Sequence, residues 1–238
     1  EPPPPPAGDA SWPRITVVTP SYNQAAFLEE TIRSVLLQGY PNLEYFIVDG
    51  ASADSSVDII RHYQPHLDWW TSEKDRGQSH AINKGFARST GDIVAWLNSD
   101  DCYLPGALFA AASARARNPD AGLYIGACDV LDMDGSVKPL FPHFAERALD
   151  HALDWGANWR RFPQPATFIS RRALEAVGPV NERLHYVMDM EYWLRVFRAG
   201  FPAASVEHKL ALHRFHKTSK TVDASDAMAE ERLRVSRA

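Results

Sequence analysis

Two adjacent carboxylates follow a short apolar run in the first half of the chain. Residues 92–97 read DIVAWL, and Asn98-Ser99-Asp100-Asp101 comes directly after them. Carboxylates at the end of a buried strand are costly unless they are paired, and a hard divalent cation is one suitable partner. Mg²⁺ typically takes one or two carboxylates, and substrate phosphates complete its shell. A solvated turn, or Asp101 as the cap of a following helix, is the alternative interpretation.

A second polar group, DGASAD at residues 49–54, joins a predicted strand to a predicted helix. Its small residues allow the backbone to approach a ligand closely. The Asp49 carboxylate could accept hydrogen bonds from a base or a ribose. The alternative is a tight turn in which Ser52 caps the following helix.

Two further segments carry positive charge in a chain whose formal net charge is −5. Residues 75–85 read DRGQSHAINKG, and a helix N-terminus beside a basic residue favours anions such as a diphosphate. Near the end, residues 212–220 read LHRFHKTSK. His216 could bind a metal there, and Arg214 or Lys220 could neutralise a leaving phosphate. For both segments, a solvated polar surface is the alternative.

Residues 188–195 read MDMEYWLR and predict a helix that begins near Asp189. An aspartate at this position could cap the helix. It could also act as a general base, because its ordinary pKa of about 3.9 leaves it ionised at neutral pH. The two roles are compatible. By contrast, Asp132 and Asp134 fall in a predicted hairpin turn, and we expect no metal there.

The first half of the chain alternates predicted strands and helices. The strands are expected at 15–20, 43–49 and 92–97, and the helices at 25–38, 52–63, 78–90 and 104–117. This order predicts βαβ units and a mostly parallel sheet. Ligands collect at the carboxyl ends of such strands. Residues 21–23, 49–54 and 98–101 are therefore expected to converge.

The second half follows a different pattern. Strands are predicted at 123–130, 136–141, 166–170 and 203–207, and a helix at 188–199. We interpret the chain as a proline-rich flexible tail or linker at 1–13, a single domain at 14–221 and a C-terminal helix or tail at 222–238. The run of five prolines in the tail could also be a docking ligand for a partner domain.

The composition excludes several classes of protein. Of 238 residues, 45% are hydrophobic and 23% are charged, which is typical of a globular chain. There is no global basic excess, so no nucleic-acid partner is expected. Two cysteines, Cys102 and Cys128, do not make a disulfide framework and fit a reducing compartment. No apolar run approaches the roughly 18 residues that a membrane span needs.

The order of the motifs is more specific than any one of them. The motifs are TPSYNQ, D-G-x-S-x-D, DRGQSHAINKGF, GDIVAWLNSDD, and MDMEYWLR followed by HRFH. With these motifs in this order, the chain resembles the family 2 glycosyltransferases of GT-A-type fold, especially the bacterial members, over about residues 14–221. The resemblance implies a Rossmann-like, mostly parallel α/β sheet flanked by helices. Its nucleotide-sugar-binding half is expected at 14–120 and its acceptor half at 121–221.

The resemblance also implies an activity. Family members transfer a sugar, with inversion, from a nucleotide-diphosphate sugar to a hydroxyl. A UDP-sugar is favoured as the donor, and a saccharide, a lipid-linked saccharide or a protein is the expected acceptor. A divalent cation, Mg²⁺ or Mn²⁺, is the expected cofactor. The location implied is cytoplasmic, with a peripheral membrane contact as an option, and the process is polysaccharide biosynthesis.

The family's functional positions map onto this chain residue by residue. Asp189 corresponds to the catalytic base, and Asp100, Asp101 and His216 are the candidate metal ligands. Arg214 and Lys220 are candidates for the nucleotide-sugar site from their charge. The other candidates for that site are Thr19, Pro20, Tyr22, Asn23, Asp49, Ser52, Arg76, Gln78, Asn83, Asn98 and Ser99.

The chain departs from the family pattern at three positions. Asn98 stands where a first carboxylate is expected, Met188 where an acid often precedes the base, and Ala51 where glycine is common. The first two leave the metal affinity open and keep a non-catalytic binding module as the alternative function. We also expect the aromatic segment 142–164, with Trp155 and Trp159, to shape the acceptor site.

Overall fold

The computed structural model describes residues 11–140, 162–217, 219–220 and 225–237. The expected acceptor segment therefore lies outside the described residues except at its end, residues 162–164. The helices and strands are β1 (Ile15–Ser21), α1 (Ala25–Leu36), β2 (Leu43–Asp49), α2 (Ser56–Tyr63), β3 (Trp69–Ser72), α3 (Gln78–Arg88), β4 (Ile93–Trp96), β5 (Cys102–Tyr103), α4 (Ala107–Arg117), β6 (Leu123–Leu131), β7 (Val137–Leu140), β8 (Thr167–Ser170), α5 (Arg171–Val177), α6 (Met188–Arg198), β9 (Ala203–Arg214) and α7 (Ser225–Arg237).

The described strands form one sheet in the order β3-β2-β1-β4-β8-β6-β9-β5, and β7 pairs with β6. The strands of the first half, β1 to β4, pair in parallel as expected. The second half adds mixed pairing: β8 runs antiparallel to β4 and β6, whereas β9 runs parallel to β6. The parallel half brings the strand ends, where we expected the site, to one edge.

Both faces of the sheet are covered, because successive strand residues point to opposite sides. In β2, Tyr45 and Ile47 pack into one core with α1 and α4, whereas Phe46 and Val48 pack into a second core with α3 and α6. All seven residues of β1 are buried. A strand buried on both faces is typical of a parallel sheet between two helix layers.

Helix α3 lies close against β1 at Gly85. A Cβ atom at this position would lie 2.5 Å from Val18 Cγ1. Such a distance is shorter than van der Waals contact allows, so a residue without a side chain is needed here. This contact holds α3 on the sheet, with its N-terminus at Gln78 beside the strand ends.

The structure corrects several predicted boundaries. Helix α2 begins at Ser56 rather than at Ser52, and β9 continues to Arg214 rather than ending near residue 207. A register irregularity in the β6–β9 pairing near Gly126–Cys128 interrupts the alternation that would reveal the longer strand. Helix α5 and the two-residue strand β5 were not predicted, because segments this short carry no clear periodicity.

Strand β5 has an importance out of proportion to its length. Cys102 pairs with Leu212, and Tyr103 pairs with Ala211 of β9. This pairing places the late basic segment directly beside the carboxylates of residues 100–101. The predicted hairpin near Asp132 is present, since Asp132 N–H donates to Ser136 O across the turn.

Helix α7 continues the chain after the predicted domain boundary at residue 221. Within the described residues, Met228 and Arg232 of this helix line the cavity described below. The segment predicted as a helix or tail is therefore a helix that contributes to the site. None of the helices in the described part of the chain combines the length and the apolar character that crossing a membrane requires.

Candidate active site

The ends of β1 and β2 are joined by hydrogen bonds, as the sequence predicted. Ser21 and Asp49 are paired at the last position of the two strands. Beyond them, Asn23 N–H donates to Ser52 Oγ at 2.8 Å, and Ala53 N–H donates to Asn23 Oδ1 at 2.8 Å. The two loops therefore form one rigid rim at the sheet edge.

The Asp49 carboxylate is fully buried and occupied by neighbouring donors. It accepts from Ser52 N–H at 2.9 Å, from Ser52 Oγ at 2.5 Å and from Ser72 Oγ at 2.7 Å. Ser52 is therefore a partner of Asp49 and not the predicted cap of α2, which begins four residues later. Ala51 has a φ of +64°, the left-handed conformation in which glycine carries no steric cost.

Three side-chain amides form a chain across the site. Lys220 Nζ donates to Gln78 Oε1 at 3.0 Å, and Gln78 Nε2 donates to Asn98 Oδ1 at 2.6 Å. Asn98 Nδ2 then donates to Gln164 Oε1 at 3.0 Å, and Gln164 Nε2 donates to Trp96 O at 2.8 Å. An ammonium group only donates and a carbonyl only accepts, so the two ends fix the orientation of every amide.

This chain gives a physical reason for the departure at Asn98. An aspartate at this position has no N–H to donate, so its carboxylate would face Gln164 Oε1 as a second acceptor. If Gln164 rotated its amide, its oxygen would instead face Trp96 O. Asparagine, with one acceptor and one donor group, satisfies both neighbours.

Asp100 and His216 form a contact at the mouth of the site. Asp100 Oδ2 lies 3.0 Å from His216 Nε2. Burial, and then the neighbouring Asp101 carboxylate, raise the pKa of Asp100, although the contact with His216 opposes this. The imidazole also packs against Phe27, with ring centroids 4.5 Å apart. A carboxylate and an imidazole at this separation are a pair of ligands that Mg²⁺ or Mn²⁺ could share with phosphate oxygens.

Asp101 is directed away from that pair. Its buried carboxylate accepts from Arg214 N–H at 3.0 Å and lies 3.0 Å from His213 Nδ1, an ion-pair distance without hydrogen-bond alignment. Burial alone would lower the pKa of His213, but Asp101 raises it above its ordinary value. Across the described residues, no three His, Cys, Asp or Glu side chains form a complete metal site by themselves.

Asp189 lies in the first turn of α6 and opens onto the cavity. Its Oδ1 accepts from the N–H of the next residue, Met190, at 2.8 Å. Asp189 is half-buried in the cavity wall. Desolvation raises the pKa of its carboxyl to about 6, while the backbone hydrogen bonds, His213 and Arg232 oppose the shift. A carboxylate of this kind is ionised at neutral pH and is more basic than an ordinary aspartate.

A cavity of about 620 Å³ connects these groups. It extends from the strand-end loops to the start of α6, which is room enough for a nucleotide sugar. Many of the predicted site residues lie in its wall. They are Pro20, Tyr22, Gln78, Asn98, Ser99, Asp100, Asp189, Arg214 and Lys220.

The other predicted site residues are not part of this wall. Those not already described are Thr19, Arg76 and Asn83. The Thr19 hydroxyl contacts Tyr45 Oη at 3.0 Å. Arg76 pairs with Glu182 at 2.6 Å, and Asn83 exchanges hydrogen bonds with the backbone of Val180. Both residues thus support the segment that leads to α6. Their direct contact with a nucleotide stays a prediction.

Arg214 lines the cavity but is already paired. Its Nη2 lies 2.7 Å from Glu30 Oε2, and its guanidinium lies 5.1 Å from the centre of the Phe27 ring. The positive charge that was expected to face a leaving phosphate is therefore shared with an acid on α1.

Sequence reasoning missed several residues at the site, including His213, Glu231 and Arg232. The signal for α7 was present, because Met228, Glu231, Arg232 and Val235 have the i, i+3, i+4, i+7 spacing of one helix face. Charged residues in such a stripe suggest buried, partnered groups rather than a solvated tail.

Comparison with known proteins identifies the family of this chain. The model of the family described as "Glycosyl transferase family 2" matches residues 16–178. An uncharacterized glycosyltransferase of Nostoc sp. is 28% identical over 92% of this chain and 70% of its own length. The "Putative teichuronic acid biosynthesis glycosyltransferase TuaG" of Bacillus subtilis is 29% identical over 88% of this chain and 82% of its own length.

Solved structures share the fold. TarS 1–349 of S. aureus, in complex with UDP-GlcNAc, has a TM-score of 0.74 at 15% identity over 93% of this chain and 65% of that one. The mannosyltransferase PcManGT of Pyrobaculum calidifontis, in complex with GDP-Man and Mn²⁺, has a TM-score of 0.67 at 22% identity over 90% of this chain and 60% of that one. The expected GT-A-type fold is thereby confirmed. The chain spans less than two thirds of the length of either structure.

Proposed function

The chain belongs to glycosyl transferase family 2, and we propose that it transfers a sugar from a nucleotide-diphosphate sugar to an acceptor hydroxyl with inversion of configuration. Asp189 is the general base in this proposal. The observation that carries it is the position of that carboxylate: Asp189, at the start of α6, lines the same cavity as Asp100, and desolvation there raises its pKa to about 6.

The donor occupies the end of the cavity beside the parallel strands. Tyr22 and Ser99 line this end, and the N-terminus of α3 contributes Gln78. Lys220, which contacts Gln78, adds a positive charge near the position proposed for the diphosphate. A helix N-terminus and an ammonium group together favour a doubly charged anion.

Asp100 and His216 are the residues that would hold a divalent cation. Their side chains meet at 3.0 Å, and substrate phosphates would complete the shell. When bound, such a cation neutralises the negative charge that develops on the leaving nucleoside diphosphate. In this proposal Asp101, also expected to be a ligand, instead positions the segment around His213 and Arg214.

Asp189 acts on the acceptor. Its carboxylate accepts the proton of the acceptor hydroxyl while that oxygen attacks the anomeric carbon from the face opposite the diphosphate. The new carbon–oxygen bond forms as the bond from the anomeric carbon to the phosphate oxygen breaks, so the configuration inverts. A base whose pKa lies close to the working pH combines ionisation with proton affinity, which is the most effective compromise.

The acceptor is proposed to be a saccharide, free or lipid-linked. This choice rests on the family resemblance and on the relative named for teichuronic acid biosynthesis. A UDP-sugar remains the favoured donor, but the two structural neighbours hold different nucleotides. A test of function must therefore include both uridine and guanosine diphosphate sugars.

The proposal is tested with a panel of UDP- and GDP-sugars, with Mn²⁺ or Mg²⁺ and then with EDTA. We expect one donor to release its nucleoside diphosphate in the presence of an acceptor, and EDTA or His216→Ala to suppress this release. Asp189→Asn is expected to bind the nucleotide normally without transfer. Nucleotide binding without turnover across donors and acceptors would support the non-catalytic binding module, and no nucleotide binding would contradict both functions.

A further inference from the structure

Glu231, on helix α7, is a buried acid with backbone partners. Only 6% of its surface is exposed. Its Oε1 accepts from His185 N–H at 2.8 Å, and its Oε2 accepts from Tyr186 N–H at 2.8 Å and from Val187 N–H at 3.3 Å. A glutamate is rarely enclosed to this degree unless it is fully paired, as it is here.

The three N–H groups lie immediately before α6. A helix N-terminus leaves backbone donors without partners inside the helix. Val187, the N-cap residue, provides no side-chain cap of its own. Of the three donors, Val187 N–H belongs to the helix terminus, whereas His185 N–H and Tyr186 N–H belong to the segment before it. Glu231 satisfies all three from another part of the chain, and its negative charge lies near the positive end of the α6 dipole.

The same segment is also held by α3, at residues closer to its start. Asn83 donates to Val180 O at 2.9 Å and accepts from Val180 N–H at 2.8 Å. Asn83 also contacts Glu182 Oε1 at 3.1 Å. Residues 180–187 thus lie between an anchor on α3 and an anchor on α7, and Asp189 follows two residues later.

We propose that Glu231 is a positioning residue for the transfer reaction: it fixes the start of α6 so that the Asp189 carboxylate faces the cavity. The inference rests on the proposed role of Asp189 as the base. The charged groups that face Asp189 are His213 from β9 and Arg232 from α7. Glu231 acts on Asp189 through the backbone of residues 185–187.

The test compares Glu231→Gln and Glu231→Ala with Glu230→Gln. Glu230 is the neighbouring residue on the same helix and is exposed, so its substitution removes the same charge without touching the segment. Amide hydrogen exchange across residues 183–190 is measured by mass spectrometry. We expect faster exchange in both Glu231 variants and no change in Glu230→Gln.

Two further readouts separate positioning from a merely structural role. In transfer assays, kcat is expected to fall by about 10- to 100-fold in Glu231→Ala and by less in Glu231→Gln, while the KM for the donor stays within about twofold. The titration of the Asp189 carboxyl, followed by carbon-13 NMR and assigned with Asp189→Asn, is expected to move toward that of an ordinary aspartate as water reaches it.

The outcomes are distinguishable. Faster exchange together with an unchanged Asp189 titration would overturn the positioning role, as would unchanged exchange in Glu231→Ala. A folded wild-type protein without transfer activity would count against the proposed function. The exchange and NMR readouts need no turnover, so they would still decide whether Glu231 sets the environment of Asp189. If Glu231→Ala fails to fold, Glu231→Gln, which keeps one acceptor oxygen, provides the same readouts.

Discussion

Asp49, at the end of β2, is fully buried, whereas Asp189, at the start of α6, is half-buried in the cavity wall, and the two also differ in their partners. The Asp49 carboxylate accepts three hydrogen bonds, from the backbone and hydroxyl of Ser52 and the hydroxyl of Ser72. The Asp189 carboxylate accepts from the first turn of its own helix, and burial raises its pKa to about 6. Asp49 thus has three donors around its carboxylate, whereas the carboxyl of Asp189 has a raised pKa.

The difference indicates how one residue type performs two tasks. Hydrogen bonds to a carboxylate fix the groups that donate them, so Asp49 holds the rim formed at the ends of β1 and β2. A carboxylate with fewer donors in a buried place gains proton affinity, so Asp189 is suited to accept a proton from substrate. The comparison predicts separable effects when each is replaced.

The largest effect is expected for Asp189→Asn. The amide keeps the shape of the side chain but cannot accept a proton from the acceptor hydroxyl, so kcat should fall by about 10²- to 10⁴-fold. Nucleotide affinity should change little, because the donor end of the cavity is untouched. Transfer assays and calorimetric titration of the nucleotide measure the two quantities. A loss of nucleotide affinity as large as the loss of kcat would contradict a role for Asp189 in the transfer step alone.

Asp49→Asn should act on stability. Its two neighbours would lose hydrogen bonds to a charged acceptor, each of which contributes about 1.5–3 kcal/mol. We expect the free energy of unfolding to fall by about 2–4 kcal/mol, with weaker nucleotide binding and a smaller change in kcat than for Asp189→Asn. Urea denaturation measures this effect, and Asp58→Asn, at an exposed site on α2, is the control.

Asn98→Asp tests the chain of side-chain amides that crosses the site from Lys220 to Trp96. The substitution restores the family's first carboxylate but removes the N–H that reaches Gln164. The variant loses this hydrogen bond, and its new carboxylate faces a second acceptor, Gln164 Oε1. Together these changes should cost about 1–3 kcal/mol of stability. Thermal melts of Asn98→Asp and of the double variant with Gln164→Ala measure the coupling. If the double variant loses as much stability as the two single variants together, the hydrogen bond between Asn98 and Gln164 is not coupled as proposed.

The pH dependence of stability sharpens the comparison further. The Asp189 pKa rises from an ordinary 3.8 to about 6 on folding, so the folded state holds this proton more tightly. Below about pH 3 the group is protonated in both states and contributes almost nothing. Above about pH 6 it is ionised in both and destabilises the fold by about 2–3 kcal/mol.

Asp189→Asn should therefore raise the free energy of unfolding by about 1–3 kcal/mol at pH 7.5 and by only about 0.5 kcal/mol at pH 4. Denaturant titrations at the two values measure it. An equal gain at both pH values would show that Asn packs better there, rather than that the charge was costly.

Much of this molecule follows from local patterns in the sequence. The buried runs of β1, β2 and β4 predicted the parallel half, and the parallel pairing predicted that polar residues at their ends would meet. Long-range features were less visible. Strand β5 has two residues and no periodicity, yet its pairing with β9 brings His213 and His216 to the carboxylates.

The candidate site was predictable as a set of residue types but not as a set of contacts. A sequence shows that Asp49 and Asp189 are aspartates at helix or strand ends. It does not show that Ser72 donates to Asp49, or that Glu231 lies at the start of α6, because these partners come from distant parts of the chain. The number of donors around each carboxylate therefore required the structure.

The pH dependence of kcat, measured at saturating donor and acceptor, tests the role of Asp189 most directly. The base must be ionised to accept a proton, so kcat should rise with pH, reach half of its maximum near pH 6 and then level off. In Glu231→Gln the midpoint should move to lower pH, whereas in Glu230→Gln it should not move. A profile that is flat from pH 4.5 to 8 in the wild-type protein would contradict the assignment of Asp189 as the general base.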